Sequence, residues 1–353
     1  MKMFENRRQF MASASGLVLL PTLSARALAA PAAGSNENVV VATWGGDYLN
    51  LLKANIEVPI IVPAGGKVTY DVGGVEERKT KMRAQKTSRR GSMDVSMAAD
   101  IDMYDMQQAG TLANVDTASV PRLAETFDWI RPLYAVPQFY SALVIVYNPD
   151  AIKTPPTSYS ALLDASNKGR VGFSDLLADY VMLAGALGAG SKISDFEATK
   201  SFFRKLKTMQ PRVYPSNEAV VAALKTGEIN ITMMMKARAL QWKKAGLSVA
   251  FATPSEGAIP YISLAGIPKN APSPRGAFNY VNNMLTPAAQ AAFSATMGYA
   301  PSIKDAGLPE DLKQLVSFSE AETSRFHKVN YGELAGKKRA MHDFWDQEFK
   351  ANL

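Results

Sequence analysis

VVVATWGGDY, residues 39–48, is the stretch from which the fold is read. Residues 39–43 form an apolar, β-branched run, the composition of a strand buried on both faces. The run stops at Trp44, Gly45-Gly46 breaks it, and Asp47 is placed to cap a following helix. In an open α/β sheet, ligands sit beyond the carboxyl ends of the strands. An indole, two glycines, a carboxylate and a phenol at that edge describe one wall of a small-molecule site, with Trp44, Asp47 and Tyr48 as its side chains. A buried tryptophan before an ordinary strand-to-helix turn is the plainer alternative.

The same unit repeats downstream. KVTYD (67–71) reads as a second strand, and Gly73-Gly74 then opens an amphipathic, charged helix over 75–86. Free backbone N–H groups at such a helix start suit an anion. MDVSMA (93–98) is a third strand, ending at Ala99-Asp100. Three strands alternating with helices make βα units of an α/β protein. Residues 132–150 carry Gln138-Phe139-Tyr140 into an apolar strand over 141–147, too apolar for a surface connection, which reads as the passage into a second lobe. GRVGF (169–173) restarts the βα pattern with Asp175 at the strand end. Gly185, Gly188 and Gly190 follow no strand and are expected in a loop. EINITMMM (228–235) is a further strand, and Lys236, Ala237 and Arg238 open the helix after it. IPYISL (259–264), containing Tyr261 and Ser263, reads as the return to the first lobe. A helix pair broken at Thr286-Pro287 and a helical tail carrying Trp345 complete the chain.

The 353 residues suffice for two lobes, and 47% hydrophobic with 20% charged residues is an ordinary globular balance. Asn6-Arg7-Arg8-Gln9-Phe10 before an apolar stretch, with Ala27-Leu28-Ala29 as a cleavage site, is expected to be a twin-arginine signal over residues 1–29, placing the mature protein in the periplasm. Those residues hold four bases against one acid, so the net charge falls from +7 to +4 on cleavage. That excess is dispersed, which argues against nucleic acid as a partner. There is no cysteine for a lipid anchor, a disulfide or a thiol nucleophile. The two histidines, His327 and His342, fall in the tail and read as surface or packing residues, which supplies neither a catalytic triad nor a histidine metal site.

TWGGDY (43–48), VTYDVGG (68–74), TPSEGAIPY (253–261) and GAFNYVNNMLTPAAQAAFSATMGYAP (276–301) together resemble the spermidine/putrescine-type group of family 1 extracellular solute-binding proteins, the substrate-binding components of ABC importers. The resemblance runs over nearly the whole mature chain. It implies a two-lobed periplasmic-binding-protein-like fold of type II, its α/β lobes joined by two crossing strands. Residues 38–139 with 262–305 would form one lobe and 140–261 the other, with 306–353 as C-terminal helices packing on the second lobe and hinge. It further implies a monomer without cofactor or catalysis, which hands a cleft-bound solute to a membrane permease and its ATPase.

In the polyamine binders of this group, aromatic rings stack the alkyl chain and carboxylates hold the ammonium ends, as a desolvated dication requires. By the resemblance, Trp44, Asp47, Tyr48, Asp100, Tyr140, Asp175 and Tyr261 fall on the walls of the cleft. Ala178 and Ser263 stand where the group has two further acids, and Lys236 and Arg238 stand where it has tryptophan and small polar residues. Two acids lost and two bases gained favour a carboxylate, phosphonate or zwitterion held by Arg238, Lys236 and the Gly73-Gly74 turn. A polyamine held by Asp47, Asp100 and Asp175 is the alternative. A ferric-iron binder is disfavoured because none of the 13 tyrosines adjoins another.

Overall fold

The computed structural model describes residues 37–351 and 353, so the expected signal segment lies outside the described residues. Strand β1 (Asn38–Thr43) lies between β2 (Lys67–Val72) and β3 (Val95–Ala99), parallel to both. Helices α1 (Gly46–Leu52), α2 (Val75–Ala84) and α3 (Asp100–Gln108) each begin within a few residues of a strand end. Past Leu52 the first helix widens into i→i+5 winding over Lys53–Ile61, which accommodates Pro59 and its missing N–H. Asp47 makes no cap; Gly45 occupies the capping position and Asp47 sits in the first turn.

The expected passage is longer than its apolar run suggested. Strand β4 (Val136–Tyr147) has all 12 residues buried. It pairs antiparallel with β9 (Ile259–Gly266) along most of its length, and with β7 (Ile231–Met235), β8 (Ala250–Ala252) and β10 (Ala300–Pro301). Beyond β7 lie β5 (Val171–Ser174) and β6 (Arg212–Tyr214), again parallel. The sheet order is β2-β1-β3-β9-β4-β7-β5-β6, two parallel segments flanking one antiparallel pair. A strand whose every side chain meets apolar neighbours belongs at the centre of such a sheet.

Two apolar clusters flank this arrangement. One gathers Val41, Leu52, Ile56, Tyr280 and Phe293 from β1, the first helix, α8 (Pro274–Asn283) and α9 (Pro287–Met297). The other gathers Val144, Phe173, Val181, Phe203 and Trp345 around α4 (Ala178–Gly188), α5 (Phe196–Lys207) and the C-terminal segment. Gly185 and Gly188 are not loop residues. They lie in α4, where an added Cβ would run into Phe203 and Phe202, so their lack of a side chain lets α4 and α5 pack closely. Ser216 caps α6 (Asn217–Thr226) through a bond from Ala219 N–H, and α7 (Lys236–Lys244) follows β7 directly. The tail carries α10 (Glu310–Val316), α11 (Glu320–Thr323) and α12 (Tyr331–Asp343), with α12 packed on α3 and α4.

Candidate functional site

The carboxyl ends of β1, β3, β5 and β7 converge on a cavity of about 960 Å³. Trp44, Asp47, Tyr48, Asp175, Arg238 and Tyr261, all predicted site residues, line it. Phe139, Tyr180 and Tyr299 complete an aromatic wall: the Trp44 and Tyr48 rings meet edge-on at 5.0 Å, and Tyr261 lies 5.8 Å from Tyr180 and 6.2 Å from Tyr299. Tyr48 is held rigidly, its hydroxyl donating to Gln138 and its ring packed on Phe293 and Phe139. Such walls stack alkyl chains and, where a cation is present, attract it through the ring faces.

Trp44 is backed by Arg78, a residue that sequence reasoning passed over as one charge in an amphipathic helix. Arg78 is 1% exposed, its guanidinium carbon 4.9 Å from the indole centroid. It donates to the carbonyl of Gly73 and, at 2.7 Å, to that of Met97, tying the ends of β2 and β3 together beneath the ring. Burial lowers its pKa.

Six carboxylates line the cavity, those of Asp47, Glu76, Asp102, Asp175, Asp179 and Glu218, against Arg238, Lys244 and Lys338 as Lys/Arg side chains. Most of the acids have partners within the chain. Lys79 lies 2.7 Å from both Glu76 and Asp102. Asp175 accepts from Trp345 Nε1 at 2.7 Å and pairs with Lys350 at 3.1 Å. Asp179 accepts from His342 Nε2 at 2.8 Å, with Lys338 at 3.6 Å. Burial pushes the Asp179 carboxyl up, but His342 and Lys338 more than offset this and leave it below its ordinary value. The hydrogen bond to Asp179 raises the His342 pKa in turn. Among the described residues, Asp47 and Glu218 are in no salt bridge; Arg238 is in none either, donating at 3.0 Å to the neutral Gln241.

Several predicted residues lie elsewhere. The Lys236 side chain turns away from the cavity, donates to the Ser317 carbonyl at 2.6 Å and sits 4.5 Å from the Phe318 ring centroid; burial lowers its pKa to about 8. Tyr140 packs against Phe127, Trp129 and Phe318, where burial raises its hydroxyl to about 12. Ser263 is fully buried, its hydroxyl without a hydrogen-bond partner. Gly73 and Gly74 do not line the cavity, and Glu76 and Glu77 already supply the first turn of α2 with negative charge, so that helix start offers no anion site. Asp100 lies beneath the wall, where its carboxylate takes the Tyr180 and Tyr331 hydroxyls, the latter at 2.6 Å.

The charge count made from sequence is thereby corrected. One of the two added bases, Lys236, leaves the site, and acids that carried no motif enter it. Asp179, one residue past Ala178, brings an acid next to the position where the group's second carboxylate is replaced. His342, read as a surface or packing residue, lines the cavity. Asp179 lies in the first turn of α4, five residues past the end of β5, and that nearness to a strand end was the usable sequence signal.

A large aromatic cavity at the strand ends is the form of a site for small solutes. The family model described as bacterial extracellular solute-binding protein matches residues 62–320, and the chain belongs to that family. It binds a small solute and is not an enzyme. The spermidine/putrescine-binding periplasmic protein of Escherichia coli K12 is 25% identical over 273 residues, covering 73% of this chain and 78% of its own. Among solved structures, the Atu4243-GABA receptor superposes with a TM-score of 0.77 at 18% identity, over 90% of this chain and 98% of that one. The binding protein AgtB of Agrobacterium tumefaciens R10, solved with agropinic acid, gives a TM-score of 0.69 at 20% identity over 88% and 98%.

Proposed function

We propose that the protein captures an aliphatic amine, in the polyamine class, and delivers it to an ABC permease from the periplasm. The observation that carries this reading is an aromatic-walled cavity in which four carboxylates are paired within the chain and two more, Asp47 and Glu218, are in no salt bridge among the described residues. Aromatic faces beside carboxylates outside any ion pair favour a cationic alkyl solute. The spermidine/putrescine-binding relative supports the same chemistry. In this reading the two parallel sheet segments are lobes joined by β4 and β9, and closure about those strands shuts the solute between Trp44, Asp47 and Tyr48 on one side and Asp175, Glu218 and Arg238 on the other. Export follows from the twin-arginine motif.

Arg238 favours a second reading, an amine that also carries a carboxylate. Among the described residues it is a cavity cation whose side-chain partner is the neutral Gln241, and a guanidinium grips a carboxylate through two N–H groups. The likeness to the GABA receptor and to the agropinic acid complex accords with it.

Calorimetric titration of ligand-stripped protein with putrescine, spermidine, γ-aminobutyrate and amine-free dicarboxylates tests both. Putrescine or spermidine binding in the micromolar range or tighter is the expected result. Under the first reading Arg238→Ala strengthens it by removing a like charge, and under the second the variant loses γ-aminobutyrate binding. Binding of the dicarboxylates alone would overturn the amine assignment.

A further inference from the structure

One end of the cavity is already occupied by cations of the chain itself. Lys338 on α12 places its ammonium 2.7 Å from Asp105 Oδ2 and 3.6 Å from Asp179 Oδ2, its side chain 20% exposed. Asp105 belongs to α3, which follows β3, and Asp179 to α4, which follows β5. The ammonium therefore bridges one carboxylate from each parallel sheet segment, beside the strand ends. His342, one turn further along α12, takes the other oxygen of Asp179. Lys79 serves Asp102 on one side and lies 3.5 Å from Asp105 on the other. Both Lys338 and His342 line the cavity.

That placement matches what the terminal ammonium of an extended amine would adopt on reaching this end: half-buried, between two carboxylates. A tethered lysine is present at an effective concentration on the order of millimolar, so a dilute solute does not displace it. A second ammonium brought alongside would meet a like charge with little water to screen it. Asp47 and Glu218, in no salt bridge among the described residues, together with the aromatic wall then remain for the solute.

We propose that Lys338 is a specificity-determining residue that stands in for a solute ammonium at this end of the cavity and selects short amines with one or two amino groups over longer polyamines. The inference builds on the amine reading above and says which amines that site accepts. A purely structural ion pair would hold α12 in place without changing the order in which amines bind.

The test compares putrescine and spermidine affinities by calorimetry in the wild-type chain, Lys338→Met and Lys338→Arg. The wild type is expected to bind putrescine the more tightly. Lys338→Met should shift the spermidine-to-putrescine affinity ratio toward spermidine by about tenfold. Lys338→Arg keeps the charge and should leave the ratio as it is, which controls for any loosening of α12. An unchanged ratio in Lys338→Met, with putrescine still bound by the wild type, would overturn the role of Lys338 alone. Binding of neither amine by the wild type would overturn the amine reading and this inference together.

Discussion

Protonation of Asp100 is coupled to the stability of this fold. The residue is 1% exposed, and burial raises its carboxyl from 3.8 to about 6 even though Tyr180, Tyr331 and the Ile101 N–H all donate to it. An acid whose pKa is higher folded than unfolded holds its proton more tightly in the folded chain. Its contribution to stability is therefore fully present below about 3.8 and is lost as pH rises through about 6. The gap between those values corresponds to about 3 kcal/mol at neutral pH. Asp100→Asn carries no charge to desolvate; its Oδ1 can accept from one phenol while its amide donates to the other phenol oxygen. At about pH 7.5 the variant should be more stable than the wild type by about 1–3 kcal/mol, an advantage that vanishes near pH 4. Urea unfolding at several pH values measures the difference directly. A variant destabilised equally at both extremes would refute the reasoning, because it would mean that the phenol hydrogen bonds hold the carboxylate ionised without a burial cost.

Lys236→Met should stabilise the protein by about 1–3 kcal/mol at neutral pH, since it replaces a buried ammonium, lowered to about 8, with an apolar chain of similar length between Phe251 and Phe318. The gain should fade as pH rises through 8 toward 10.5, because a lysine whose pKa is depressed on folding contributes most once both states are neutral; urea midpoints across that range check it. Arg78→Met should cost about 3 kcal/mol in urea unfolding by stranding the Gly73 and Met97 carbonyls, and should weaken solute binding because Trp44 loses its backing. Gly257→Ala should lower stability by at least about 2 kcal/mol: Gly257 has φ +102 and its added Cβ would collide with the Arg325 carbonyl. Thermal unfolding of the variant without solute reads that loss.

The central strands were legible from sequence because buried strands advertise themselves, whereas their order in the sheet was not. The β-branched run at 39–43, ITMMM and the apolar core of β4 each occur where an all-apolar segment has no other place to go. The first five residues of β4, Val136 to Tyr140, lay outside the expected strand because a proline and an amide among them do not read as core. Pro137 sits beside a shift in the β4–β9 register, where the Gln138 carbonyl is taken up by Gln290 and Ser302 instead. Around the cavity, residues flanking strand ends were the legible ones, since position alone brings Trp44, Asp175 and Arg238 to its wall. What sequence did not carry was direction. Lys236 and Arg238 are two apart at a helix start and so point to different sides, one to the Phe318 ring and one to the cavity. Nor did it carry reach. Lys338 and His342 come from a helix remote in sequence, and nothing in their spacing shows which face of α12 meets α3 and α4.

The cavity wall runs from Trp44 near the start of the described chain to His342 near its end. No contiguous fragment of the polypeptide thus possesses the receptor, and neither half expressed alone should retain solute. Recognition arises only once the last helix has been laid across the rest, which makes a shortened C-terminus a way to change what is recognised while most of the β-sheet is still built.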